Sequence, residues 1–230
     1  MNASSTGPTE AEAYLARHYR DRFRYGEGTE QILAMLRSIP PVRRWVDLGS
    51  GSQTMMWALA LTADSVIAVD ADPHRLQLLR QLAAAATPDP VHATVAALCG
   101  QPPTAFTARC RTLAATVDAD CLCADPSQHP MLPAAAFDLV TQFGLLGLCS
   151  NTTHFVDAFA TLHRLTAPGG WVAGANWEAA NATGRVALTA PLYQTAAHAA
   201  ELDLAQLERV DSADPDFPAV WIYSGTRRRP

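Results

Sequence analysis

A strand that runs into a glycine-rich turn and then a helix can be packed in few ways, and residues 45–52, W-V-D-L-G-S-G-S, have that form. Residues 45–48 read as a buried strand, and Met55, Met56, Trp57 and Leu59 as the helix that follows. Between them, Gly49 and Gly51 lack a Cβ, so backbone N–H groups can come close to a ligand, and the helix start adds a positive pole. Nineteen residues after Gly51, a second apolar run, V-I-A-V, ends in Asp70. An acid about 20 positions beyond such a turn is placed to accept from a pair of ribose hydroxyls. The pattern predicts an adenosine-containing ligand over the ends of parallel strands.

The rest of the chain repeats the alternation of strand and helix. Residues 11–24 read as a helix broken by Gly26 and Gly28. A second helix carries Ile32, Leu33, Met35, Leu36 and Ile39 and stops at Pro40 and Pro41. Asp72 is a natural N-cap with Pro73 behind it, and two alanine-rich pieces between 87 and 117 read as extra helices. Further strands are expected at 121–124, 137–141 and 171–175, with a helix around Phe155 and Phe159 stopped by A-P-G-G at 167–170. A last helix over 191–202 precedes strands at 205–210 and 219–224. The turn Asp214, Pro215, Asp216 between these two makes the final pair antiparallel. The prediction is a doubly wound α/β sheet of seven strands over 41–230, preceded by a tail and helices over 1–40.

Composition narrows the partners. A net charge of −5 and a single basic cluster at 227–229 argue against nucleic acid and an anionic membrane surface. No apolar run is long enough to span a bilayer, and the polar start lacks the regions of a signal peptide. Five cysteines without framework or ligand spacing suit reduced thiols in a cytoplasmic protein, and Cys121 and Cys123 are expected to share a strand face. No spacing suggests a metal, and none sets an oligomeric state.

A nicotinamide dinucleotide fold would need a third glycine at position 54, which is Thr54 here. The acid of D-L-G-S-G, then Asp70, Asp125, F-D-L-V at 137–140 and L-T-A-P-G-G at 165–170 occur in order. That set resembles the S-adenosylmethionine-dependent methyltransferases built on a seven-stranded Rossmann-like sheet. Within them, Y-L-A-R-H-Y at 14–19 and the helical insertion are similar to the nicotinamide, phenylethanolamine and indolethylamine N-methyltransferases, whose N-terminal segment forms a lid.

The resemblance implies roles residue by residue. Gly49, Ser50, Gly51, Ser52 and Thr54 would pass along the cofactor, with Asp47 at its methionine ammonium, Asp70 and Ala71 at the ribose, and Gln142 and Phe143 beside it. Asp125 would accept from the adenine amino group, although Pro126 lacks the N–H normally offered to the ring. Tyr14 and Tyr19 would close a lid over cofactor and acceptor. The acceptor would meet Phe143, Asn176, Trp177 and Tyr193, with Glu178, the carboxylate of that corner, as its catalytic or nitrogen-holding group. His18, His154 and His163 have no pattern that assigns them chemistry. The expected activity is methyl transfer to a small molecule, at an amine nitrogen first; an oxygen or carbon acceptor and a non-catalytic cofactor-binding module are the alternatives.

Overall fold

The structure is a computed structural model that describes residues 21–181 and 183–229. Tyr14 and Tyr19, and most of the helix expected over 11–24, lie outside the described residues; residues 21–24 are irregular. Helix α1 (Thr29–Arg37) buries Ile32, Leu33, Met35 and Leu36, the positions that helical spacing puts on one side. Strand β1 (Val42–Leu48) enters a turn in which Gly49 and Gly51 have φ of 63° and 54°, and α2 (Thr54–Ala58) leaves it. A Cβ on Gly49 would stand 2.9 Å from that of Leu145, so this corner needs glycine for space as well as for φ. Strand β2 (Ala63–Asp70) ends in the expected acid. Asp72 caps α3 (Pro73–Ala85) by accepting from the His74 N–H.

Helices α4 (Pro90–Leu98) and α5 (Ala105–Cys110) are the two alanine-rich pieces. The same stretch also holds β3 (Leu113–Asp118), whereas residues 121–124, expected as the third strand, form a turn. Asp120 accepts from the N–H groups of Leu122 and Cys123, and this local bonding draws the segment out of the sheet. Cys121 is buried and Cys123 exposed, so they share no face.

Strand β4 (Phe137–Phe143), helix α6 (Thr152–His163), strand β5 (Thr166–Glu178) and helix α7 (Ala190–Ala199) follow. The hairpin of β6 (Leu202–Asp214) and β7 (Phe217–Arg227) closes the chain. The A-P-G-G run lies inside β5 as an irregularity, where the register jumps from Phe137↔Thr166 to Leu139↔Trp171. Asn176, Trp177 and Glu178 are strand rather than loop, because β7 supplies the antiparallel partners Trp221, Val220 and Ala219.

The seven strands lie in the order β3-β2-β1-β4-β5-β7-β6, parallel through β5, with β7 antiparallel to both neighbours. Residues of α1, α2, α4 and α5 pack against Trp45, Val66, Leu139 and Ala175 on one face of the sheet. Residues of α6 and α7 pack against Val46, Val140, Val172 and Tyr223 on the other. Each fully buried large apolar side chain in these two cores contributes about 1.5–3 kcal/mol.

Alternation along the strands then sorts side chains by face. Asp47, Thr141, Phe143 and Trp177 fall on the α2 side, while Gln142, Gly174, Asn176 and Glu178 fall on the α6–α7 side. Gln142, Gly174 and Tyr223 are in register across β4, β5 and β7, and Gly174 leaves room for the Gln142 amide to donate to the Tyr223 hydroxyl at 3.2 Å. A Cβ there would come within 2.6 Å of both groups. Gly174→Ala is expected to lower stability by about 1–3 kcal/mol in urea unfolding; an unmoved midpoint would mean that the pair gives way freely.

Candidate active site

The strand ends that carry Asp70, Phe143 and Trp177 open into a cleft of about 880 Å³, within the size range of small-ligand pockets. Gly49, Asp70, Ala71, Asp72, Arg75 and Asp120 line the part beside β1, β2 and β3. Phe143, Leu145, Leu148 and Trp177 line the part beside β4 and β5. Phe23, Arg24 and Glu27 close it from the N-terminal side, and Asp214 and Phe217 from the tip of the hairpin. The N-terminal segment is pinned there: the Trp177 indole donates to the Glu27 carbonyl at 3.2 Å and the Ala213 N–H to the Gly26 carbonyl at 2.8 Å.

Asp70 is the best-held charge on the wall. It is 8% exposed, and its two carboxylate oxygens accept from the N–H groups of Gly51 at 2.7 Å and Asp72 at 2.9 Å. The remaining lone pairs of this strand-end carboxylate are available to the cleft. Asp47, by contrast, is fully enclosed and does not reach the cleft. Its oxygens accept from the hydroxyls of Thr141 at 2.7 Å and Thr54 at 2.8 Å, and the Trp45 indole donates to Thr141 in turn. Burial pushes the Asp47 carboxyl up to about 7, against the pull of these hydroxyls. Ser50, Ser52 and Thr54 are also buried behind the corner rather than on its open side.

Asp125 and Pro126 are away from the cleft. Asp125 accepts from the Ser127 N–H and pairs with Arg164 at 2.8 Å. Two residues past the end of β3, Asp120 lines the cleft, and the Cys123 thiol beside it holds its carboxyl below the usual range. Pro126 therefore removes no donor from this wall. Asp120 is not legible as a site residue in the sequence, because the strand expected over 121–124 begins one residue past it.

The acceptor corner divides by face. Phe143 and Trp177 line the cleft, with the Phe143 ring tilted against that of Trp57, centroids 4.3 Å apart. Gln142, Asn176, Glu178 and Tyr193 do not line it. Asn176 accepts from the Gly147 N–H at 3.0 Å and donates to the Tyr193 hydroxyl at 2.9 Å, and Gln142 accepts from the Leu146 N–H at 3.2 Å. These two amides support the turn that carries Leu145 and Leu148. Tyr193 is wholly buried among Phe155, Phe159, Trp221 and Tyr223. Glu178 is gripped by Arg209 at 2.9 Å through both oxygens and by the Trp221 indole at 2.6 Å, and the Arg209 guanidinium holds its carboxyl below the usual range. Glu178, expected as the catalytic group of this corner, is placed by the structure in an ion pair on the face away from the cleft. Glu178→Gln is expected to leave binding of S-adenosylhomocysteine unchanged and to cost about 0.2–1 kcal/mol in thermal unfolding. A large loss of affinity by calorimetry would return the residue to the site.

An open glycine corner, a strand-end carboxylate and a cleft over the switch between β1 and β4 define a Rossmann-like enzyme that takes an adenosine cofactor. The methyltransferase domain family matches residues 46–174, more than half of the chain. The chain belongs to this family; it is a methyltransferase that uses S-adenosylmethionine. The fold is similar to that of the N-methyltransferase NodS from Bradyrhizobium japonicum WM9 in complex with S-adenosyl-L-homocysteine, at 15% identity and a TM-score of 0.59 over 95% of this chain and 92% of that one. It is also similar to an S-adenosylmethionine-dependent methyltransferase from Mesorhizobium loti, at 17% identity and a TM-score of 0.56 over 87% and 97% of the chains. The [4+2]-cyclase SpnF shares the fold as well, at 13% identity and a TM-score of 0.61 over 93% and 87%. No curated protein matches the sequence significantly. Among the described residues, no helix is long and apolar enough to cross a membrane, and no three potential ligands gather for a metal.

Proposed function

We propose that this methyltransferase acts on a small molecule, at an amine nitrogen. The observation that carries the reading is the aromatic lining of the cleft, to which Phe23, Phe143, Trp177 and Phe217 all contribute. Such faces favour a flat or apolar acceptor and stabilise positive charge developing on a nitrogen. S-adenosylmethionine supplies a methyl group already activated by its positive sulfur. The chain's part is then to align the nucleophile and exclude water. A neutral amine attacks without a base, whereas a phenol or acid must first lose its proton. Asp70 would hold the ribose, Asp120 the adenine amino group and the turn at Gly49 the remainder. Tyr14 and Tyr19 would contribute to a lid over cofactor and acceptor, the role the resemblance implies. The five free cysteines are compatible with work in the cytoplasm.

The test is incubation of the protein and S-adenosylmethionine with matched amines, phenols and carboxylic acids, followed by mass spectrometry of the products. Methylation confined to amines is expected. Methylation confined to oxygen or carbon would replace the nitrogen assignment, and cofactor binding without any methylated product would support a binding module instead.

A further inference from the structure

We propose that the acceptor carries a carboxylate, held at the mouth of the cleft by Arg185 and His154; this deepens the small-molecule reading above and rests on it. Both residues line the same cleft. They come from different segments, the stretch before α7 and the first turn of α6. The Val186 N–H donates to the Cys149 carbonyl at 2.8 Å, which ties the segment that carries Arg185 to the one that leads through Ser150 into α6.

The bonding of His154 fixes what it can offer. Its Nδ1 faces the Ser150 N–H at 3.3 Å and lies 3.4 Å from the Ser150 hydroxyl, which itself accepts from the Asn151 amide at 3.1 Å. A ring nitrogen that accepts from a backbone N–H is the unprotonated one, so the neutral imidazole carries its proton on Nε2. His154 therefore presents a donor, and a role as base would set Nδ1–H against the Ser150 N–H. Arg185 is exposed and has no ion-pair partner among the described residues.

No acid competes at this edge. The flanking runs, L-L-G-L-C-S-N over 145–151 and T-G-R-V-A-L-T over 183–189, contain no carboxylate. Elsewhere on the wall, Glu27 is paired with Arg24 at 3.4 Å and Asp72 with Arg75 at 3.4 Å, while Asp214 accepts from the Asp216 N–H at 2.9 Å. Asp70 and Asp120, on the β2–β3 side, accept from backbone N–H groups of Gly51, Asp72, Leu122 and Cys123. Asp157, one turn along α6, is exposed and does not line the cleft. A guanidinium and an imidazole N–H whose flanking segments carry no carboxylate match a planar anion, and charge-assisted bonds of that kind are strong.

The test uses protein saturated with S-adenosylhomocysteine and isothermal titration of two matched pairs: para-aminobenzoate against para-aminobenzamide, and para-hydroxybenzoate against para-hydroxybenzamide. In both pairs the acid is expected to bind about tenfold tighter than the amide. Arg185→Ala and His154→Ala each narrow that preference and the double variant removes it, with affinity for S-adenosylhomocysteine unchanged. His154→Gln, which keeps a donor of similar reach, retains more of it than His154→Ala. Equal binding of acid and amide, no binding of either acid, or a preference that survives in the double variant overturns the proposal. A carboxylate preference in a protein that methylates no amine would sink the nitrogen reading and leave this site standing. Amine methylation indifferent to the carboxylate would do the reverse.

Discussion

Asp70→Ala is expected to lower the affinity for S-adenosylhomocysteine by at least about a hundredfold, since two charge-assisted hydrogen bonds together contribute about 3 kcal/mol or more. Two losses combine. The carboxylate proposed to accept from the ribose hydroxyls disappears, and the Gly51 N–H, now 2.7 Å from it, loses the acceptor that shapes the glycine turn. Asp70→Asn separates them, because an amide oxygen keeps one acceptor but carries no charge; its affinity should fall between the two. Titration calorimetry reads all three proteins, and circular dichroism checks that the fold persists. An alanine variant that binds as well as the native protein would remove Asp70 from the site.

The second large effect concerns pH and Asp47. In an unfolded chain this carboxyl ionises near 3.8, and in the folded protein near 7. Between those values the folded state keeps a proton that the unfolded chain gives up. Stability from this group is therefore greatest below the lower value, falls as pH rises through the window and levels off above the upper one. Asp47→Asn takes up no proton and keeps an acceptor for one of the threonine hydroxyls. Its stability relative to the native protein should rise by a few kcal/mol between the two ends of the window, on the order of 1.4 kcal/mol per pH unit. Urea unfolding of both proteins at mildly acidic and mildly alkaline pH measures the gap. A gap that does not change with pH would mean that Asp47 ionises as freely when folded as when unfolded.

The parts of the site that the sequence makes legible are those determined by neighbours along the chain. The turn at Gly49 and Gly51, the acid ending β2, and the cap at Asp72 each depend on residues within a few positions. Strand β3 is harder to see because it is a sheet-edge strand with only Val117 buried. C-L-C-A at 121–124 looked more like a strand, yet the Asp120 side chain folds it into a turn. The acceptor corner is hard to read for a different reason. Asn176, Trp177 and Glu178 are polar enough to suggest a loop, and their extended form comes from β7, more than forty positions away. Once extended, they alternate, so Trp177 faces the cleft while its two neighbours face the opposite core. The partner of Glu178, Arg209, lies 31 residues further on, and no local pattern signals it.

The contact between Leu145 and Gly49 has a thermodynamic consequence. One short turn forms a wall of the acceptor part and also fills the space that a side chain on Gly49 would need. Any displacement of that turn by one ligand is paid in the binding free energy of the other, and linkage makes the effect equal in both directions. Acceptor affinity measured on the empty protein and on the cofactor-filled protein are then two different constants. Their ratio reports how stiffly Gln142 and Asn176 hold the turn from behind.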